Sequence, residues 1–442
     1  MLTIQFDTRA FDAPHLAVPP VWTVRQKRPA PVLADVEGAT RAAVERLFTD
    51  PRLRPGASVA VGVGSRGISH LVEVVRTVVD ALKRRDCRPF LVPAMGSHGG
   101  ATAEGQIGVL RDYGVTPESV GAPVRATMEA VEVGALDDGY PVYFDAFALQ
   151  ADAVIVVNRI KPHTDFTGEI ESGLGKMCAI GLGKQRGAIT IHRFGADGLR
   201  RVMPAVARRL TETVNIVGGV ALIENPYGQT AEIHGLRAHE IGREPEQQLL
   251  EHARTLLPRL PFDRLDVLVV DEMGKDIAGT GMDTHVLGRV RMPSIAEASW
   301  DQGGPKTDVR LVCALDLTDA THGNAAGLGL ADLVTRRLVE RIDFDVTNTN
   351  SLTSGEGAAY RMALPIVLED AAACVRSALN LCGQGRAEDV RLARIRNTKY
   401  VDTFEVSEAL LGEVRARPDL MEVVGERHPM DLDTPLATAA AH

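Results

Sequence analysis

Short runs of β-branched and small apolar residues recur along the chain, separated by stretches with helical spacing, and this alternation limits the fold more than any other feature. "ASVAVGVG" (57–64) and "RPFLVPA" (88–94) read as strands flanking "ISHLVEVVRTVVDALKRR" (68–85), whose apolar residues repeat with helical period. A helix over 102–114, a strand over 152–158, a helix over 197–213, the strand "VGGVALIE" and the hairpin-like "TAEIHGLRA" follow. After the prolines of "LLPRLPF" (256–262) the alternation restarts with "LDVLVVDEMGKD" (265–276) and "VRLVCALDLT" (309–318), then a predicted helix over 325–342. Strands alternating with helices at this spacing imply an α/β fold: two α/β lobes with mostly parallel sheets and an active-site cleft between them. The expected domains are 1–262, 263–400 and a helical tail, 401–442, that could pack back on either lobe.

At 442 residues with 45% apolar and 24% charged content, the chain is able to bury a core in each lobe. A net charge of −9, with no run of Lys or Arg, offers no footprint for nucleic acid. Five cysteines stand singly, without a C-x-x-C pair, which argues against a disulfide framework or structural zinc and for a cytoplasmic setting. Acids occupy the place of a signal peptide's apolar core, and no run approaches the roughly 18 apolar residues of a membrane span.

In open α/β sheets ligands gather where strands end, so the loops after the strands are the candidate sites. "GVGSRG" (62–67) matches G-x-G-x-x-G, but the next strand ends in "LVPAMGSHGG", with no acid for a ribose, and Arg66 lies inside the turn. A nicotinamide-dependent oxidoreductase therefore stands only as an alternative, as does a non-catalytic organic-acid binder. In "MGSHGGAT" (95–102) glycines flank His98, an imidazole suited to proton exchange near neutral pH. "NRIKPHTDFTGEIESGLGKMCAIGLGKQRGAITIH" (158–192) brings His163, Lys176 and His192 together on pliable backbone. Its Walker-like "GLGK" fails, because Cys178 stands where glycine is required and Gln185 where Ser or Thr is required. Lys161 and Lys184 read as solvated surface groups. In the second lobe Lys275 is a candidate for an anionic substrate, against a local pairing with Asp271 or Asp276.

The order His98 in "GSHG", His163 after a strand, Lys176 in "SGLGK" and His192 sixteen residues later resembles the nickel-dependent lactate racemase family. The resemblance covers both lobes in outline and is specific mainly over residues 57–195. It implies an isomerase that inverts C2 of a 2-hydroxy acid by moving hydride to and from a nickel-pincer nucleotide (pyridinium-3,5-bisthiocarboxylic acid mononucleotide nickel). On this likeness Lys176 is the covalent attachment point, His192 the nickel ligand, and His98 and His163 the proton-transfer pair. Gly64, Ser65 and Arg66 would contact cofactor phosphate, or Arg66 the substrate carboxylate. The implied partners are a small 2-hydroxy acid and the cofactor's biosynthetic enzymes, with a homo-oligomer left open. Extra carboxylates at Asp165, Glu169 and Glu171 suggest a more polar pocket and a larger substrate such as a sugar acid.

Overall fold

The computed structural model describes residues 16–28, 30–64, 67–164, 166–292, 306–352 and 356–437. The strands in chain order are β1 (Trp22–Gln26), β2 (Ser58–Val63), β3 (Arg88–Pro93), β4 (Ala130–Ala135), β5 (Pro141–Asp145), β6 (Ala153–Arg159), β7 (Ile216–Glu224) and β8 (Thr230–Arg237). They continue as β9 (Arg264–Met273), β10 (Asp308–Leu317), β11 (Leu333–Thr335), β12 (Ile366–Leu368), β13 (Leu392–Ile395), β14 (Thr403–Val406) and β15 (Met421–Val423). The chain forms two compact units, Ala30–Leu257 and a second built from Met1–Pro29 with Pro258–His442. Among the described residues no helix is long and apolar enough to cross a membrane.

The unit Ala30–Leu257 is built on a five-stranded sheet in the order β3-β2-β6-β7-β8. Its first four strands are parallel, with Val61 facing Leu91 on one side and Ile155 on the other, and β8 closes it antiparallel to β7. Burial on both faces explains the unbroken Ala153–Asn158 run: a parallel strand between helices has no wet side on which to place polar residues. Helix Leu71–Arg84 buries Leu71, Val74, Val75, Val78, Val79 and Leu82, the i, i+3, i+4 stripe that its sequence carries. The β4–β5 hairpin stands apart as a two-stranded sheet.

The other unit has an eight-stranded sheet, β12-β11-β10-β9-β13-β14-β1-β15, parallel from β12 to β13 and antiparallel beyond. Three expectations are revised here. The N-terminal strand is not part of the first lobe: Val24 of β1 pairs with Phe404 and Val423 and is fully buried among them. The tail is not purely helical: it adds β14 and β15 to this sheet, on either side of helix Glu408–Ala416 in sequence. Buried Arg394 fixes its far end, donating to Asp271 at 2.7 Å, Glu405 at 3.1 Å and the Thr434 carbonyl at 2.7 Å, while Leu436 N–H reaches Asp271 at 2.6 Å. Finally, 325–342 is not one helix. It holds a 3₁₀ turn (Leu328–Leu330), β11 and the short helix Arg336–Glu340. Gly327 sits at φ +102°, outside helical backbone, and Leu333 and Val334 find parallel partners on β10.

Candidate active site

Adjacent parallel strands β3, β2 and β6 end side by side, so the segments following them, 94–102, 64–70 and 160–173, leave one end of the same sheet. The Gly64 end of β2 is tightly enclosed. A Cβ there would lie 2.8 Å from Asn158 Oδ1 and 3.2 Å from Met177 Sδ, so glycine lets the ends of β2 and β6 and the segment after Lys176 approach one another. Ser65 and Arg66, the other residues expected to hold cofactor or substrate on this turn, lie outside the described residues.

The segment after β6 closes on itself. Lys161 and Ser172 exchange two backbone hydrogen bonds (3.0 and 3.2 Å), and the Asn158 amide donates to the Gly173 carbonyl at 3.2 Å. Inside the resulting loop lies Glu171, 1% exposed, which accepts the His163 N–H, the Gly168 N–H at 2.9 Å and an Arg254 N–H at 2.5 Å. Burial pushes its carboxyl upward, opposed by Arg254 and by the two backbone donors. Glu171 therefore shapes the loop that carries His163, and Glu169 is exposed beside Arg208 at 3.4 Å. Asp165 lies outside the described residues. The polar-pocket expectation thus loses Glu171, which is committed to the loop's interior. His163 is half-buried, its ring centroid 4.8 Å from that of the fully buried Phe166.

Lys176 ends a single helical turn, Leu174–Lys176, whose start is held by another buried acid. Glu246 accepts the Gly175 N–H at 3.0 and 3.2 Å and the Gly242 N–H at 2.7 Å; burial raises its carboxyl, and these donors oppose the rise. A carboxylate at the beginning of a helical turn meets N–H groups that the helix itself cannot satisfy. The chain then widens into a π-helical stretch, Met177–Gly181, before helix Lys184–His192. Such bulges are enriched at functional sites because they turn side chains away from regular helix positions. Cys178, within the stretch, is fully buried and its thiol is pushed far up by desolvation. Lys176 and His192 are both half-buried. The turn bearing His192 is tied down by Tyr140, whose hydroxyl donates to the Thr190 carbonyl and whose ring packs on Phe194 with centroids 5.4 Å apart. Burial pushes the Tyr140 hydroxyl up to about 12, which keeps it a donor.

Lys184 corrects the sequence reading most sharply. Instead of a solvated lysine, it is completely buried, with its Nζ 3.0 Å from Asp145 Oδ2 and donating to the Pro93 carbonyl at 2.7 Å and to Gln106 Oε1 at 3.0 Å. Burial lowers the ammonium and raises the Asp145 carboxyl, each opposed by its partner. The loop after β3 is bonded to the same region: Gly96 N–H donates to the Gly181 carbonyl at 3.0 Å. Half-buried His98 lies in that loop, and its carbonyl accepts from Gln106 Nε2 at 3.3 Å.

Lys275 sits in the other unit, after β9. Its backbone N–H donates to Thr321 Oγ1 at 3.0 Å and its ammonium to the Gly279 carbonyl. Of the acids expected near it, Asp271 pairs with Arg394, and Asp276 accepts from Thr318 at 2.6 Å. Further along the same loop lies a His–Asp pair that sequence reasoning passed over, His285 Nδ1 to Asp283 Oδ1 at 2.9 Å, both residues 3% exposed.

Among residues that sequence reasoning missed, Glu246 and Arg254 had left a signal. They fall on the stripe of buried Leu250 and Ala253 in helix Glu244–Thr255, and a charge on an apolar stripe needs a buried partner. Gln106, Tyr140 and Asp145 gave none, since their partners are remote in sequence.

No family model matches the chain. A stretch of 147 residues is 29% identical to UDP-N-acetylmuramoylalanine–D-glutamate ligase of Bordetella avium, covering 29% of this chain and 29% of that protein. The chain thus spans less than a third of the curated relative that it matches. Among solved structures it is similar to the lactate racemase apoprotein from Thermoanaerobacterium thermosaccharolyticum, at 11% identity and a TM-score of 0.45, over 79% of this chain and 88% of that one. At that level the likeness assigns no role to any residue.

Proposed function

We propose that this protein is a racemase or epimerase of 2-hydroxy acids, working at the carboxyl end of the five-stranded sheet with a nickel-pincer nucleotide tethered to Lys176. The observation that carries the reading is topological. Neighbouring strands β3 and β2, then β6, send the His98 and His163 segments out of one sheet end, and the chain from Lys176 to His192 is hydrogen-bonded to the first of these segments through Gly181. The donor set suits such a group. The chain would offer nickel the imidazole of His192, a nitrogen donor of a type that suits that metal. When bound, the group supplies a reversible hydride acceptor.

The chain's own residues do the proton work. One of His98 and His163 takes the proton from the substrate hydroxyl as C2 gives up hydride, and the other returns a proton to that oxygen when hydride comes back to the opposite face of C2. His163 is held for this by the Glu171 contact to its backbone and by the Phe166 ring. The substrate class is a lactate-like or larger 2-hydroxy acid.

The test is inversion at C2. Protein co-produced with the cofactor's biosynthetic enzymes should interconvert the two C2 configurations of one member of a 2-hydroxy acid panel, keeping a deuterium placed at C2, without net oxidation. Dependence on added nicotinamide cofactor with a net redox change would replace this reading with an oxidoreductase. Binding without turnover, retained when His98 and His163 are both alanine, would replace it with a binding protein.

A further inference from the structure

We propose that Lys184 and Gln106 are positioning residues: together they form a buried clamp that sets the loop carrying His98 against the helix ending in His192. The inference rests on the reading of His98 as a proton-transfer group and adds two residues to that site.

The loop needs an external hold. Gly96, Gly99, Gly100 and Ala101 all have positive φ (59°, 67°, 65° and 53°), so four of six consecutive residues occupy backbone space where glycine is least restrained. Its fastening comes from Gln106, fully buried on helix Ala103–Asp112, whose Nε2 donates to both the Gly96 carbonyl (2.9 Å) and the His98 carbonyl (3.3 Å). An amide presents oxygen and nitrogen on one planar group, so its orientation depends on what holds the oxygen. That holder is Lys184 Nζ at 3.0 Å. The same ammonium donates to the Pro93 carbonyl at the end of β3 and forms an ion pair with Asp145 at the end of β5, so it joins groups from three elements.

Lys184 is also the first residue of the helix that ends in His192, and it adopts a φ of 54° there. A non-glycine residue holds that conformation only where its surroundings fix it. The clamp thus joins the start of the His192 helix, the end of β3 and both carbonyls of the His98 turn. A buried ion pair seldom adds net stability over an apolar pair of similar size, so its distinctive contribution is directional. Lysine and glutamine together fix which way the His98 loop faces, which two leucines would not.

The test separates the clamp from the function. Gln106→Glu keeps an acceptor for Lys184 but removes both N–H donors to the loop; Lys184→Met removes the other half, and Gln106→Glu serves if that variant folds poorly. Amide hydrogen exchange over residues 96–102, measured without substrate or cofactor, should speed up by about tenfold or more in either variant, with the five-stranded sheet unchanged. In the loaded enzyme kcat for C2 inversion should fall by about 10- to 100-fold with little change in KM, and the limb of the pH–rate profile belonging to His98 should move. Unchanged loop exchange in a folded variant overturns the clamp. Faster loop exchange with an unmoved kcat and pH profile overturns its positioning role. If wild-type loaded enzyme inverts no 2-hydroxy acid, the functional reading fails and the positioning role fails with it, a result told apart because loop exchange is read without either ligand.

Discussion

The carboxyl ends of the two sheets use the same residue types in opposite ways. After β3 and β6, the acids and the lysine that are buried (Glu171, Glu246, Asp145, Lys184) hold backbone in place, while His98, His163, Lys176 and His192 are left half-buried. After β9 the histidine itself is buried: His285 pairs with Asp283, whose N–H is in turn held by Thr398 Oγ1 at 2.8 Å. The difference teaches that ionisable residues near a strand end do not by themselves mark a site. In the candidate site the buried charges are paired or hydrogen-bonded, while the groups suited to chemistry retain some exposure.

The largest expected effect breaks the comparison directly. His98→Ala or His163→Ala should lower C2 inversion by about 10²- to 10⁴-fold with the folded state intact. His285→Ala should instead cost about 1–3 kcal/mol of stability, by removing the buried imidazole that pairs with Asp283, with turnover per folded molecule close to wild type. Thermal melts and inversion assays on the same samples distinguish these outcomes.

Next come the buried acids. Glu171→Gln breaks a pair with Arg254 in which both side chains are at most 5% exposed, and should destabilise the unit by about 3 kcal/mol while loosening the His163 loop, read by urea unfolding and proteolysis. Asp271, in the other unit, is pushed up from 3.8 to about 6 by burial, partly offset by Arg394. A value raised in the folded state means that a proton is taken up on folding. Its contribution is therefore complete below about pH 4 and is lost as the pH rises through about 6. Asp271→Asn should flatten the fall in stability across that window, measured by unfolding at a series of pH values.

Smaller effects sharpen the contrast. Gly96→Ala places a Cβ 3.3 Å from both Ile180 Cγ2 and the Ile180 carbonyl at a φ of +59°, and should cost about 1–2 kcal/mol. Glu169→Ala, two residues from Glu171 but exposed, should stay within about 0.5 kcal/mol of wild type.

The strands could be read from sequence because buried parallel strands favour apolar runs rich in β-branched residues, and Val59–Val63 and Ala153–Val157 supply them. The helix expected over 325–342 was misread because Leu, Ala and Arg favour helices locally, whereas Gly329 packs 2.9 Å (as a Cβ) from the Arg361 carbonyl and β11 is set by pairing with β10. The candidate histidines and Lys176 stood out because charge on glycine-rich backbone after a strand is conspicuous. Lys184 did not, since nothing near "GLGKQRG" marks a lysine whose partners lie 39 to 91 residues away, at Asp145, Gln106 and Pro93. Its role is tertiary and becomes visible only once β3, helix Ala103–Asp112 and β5 are in place.

The most direct measurement is the intact and peptide-level mass of the protein co-produced with the nickel-pincer biosynthetic enzymes. A cofactor-sized addition confined to the peptide containing Lys176, lost in Lys176→Ala, is the predicted result. An unmodified Lys176, in a host where a lactate racemase control is modified, would contradict the account.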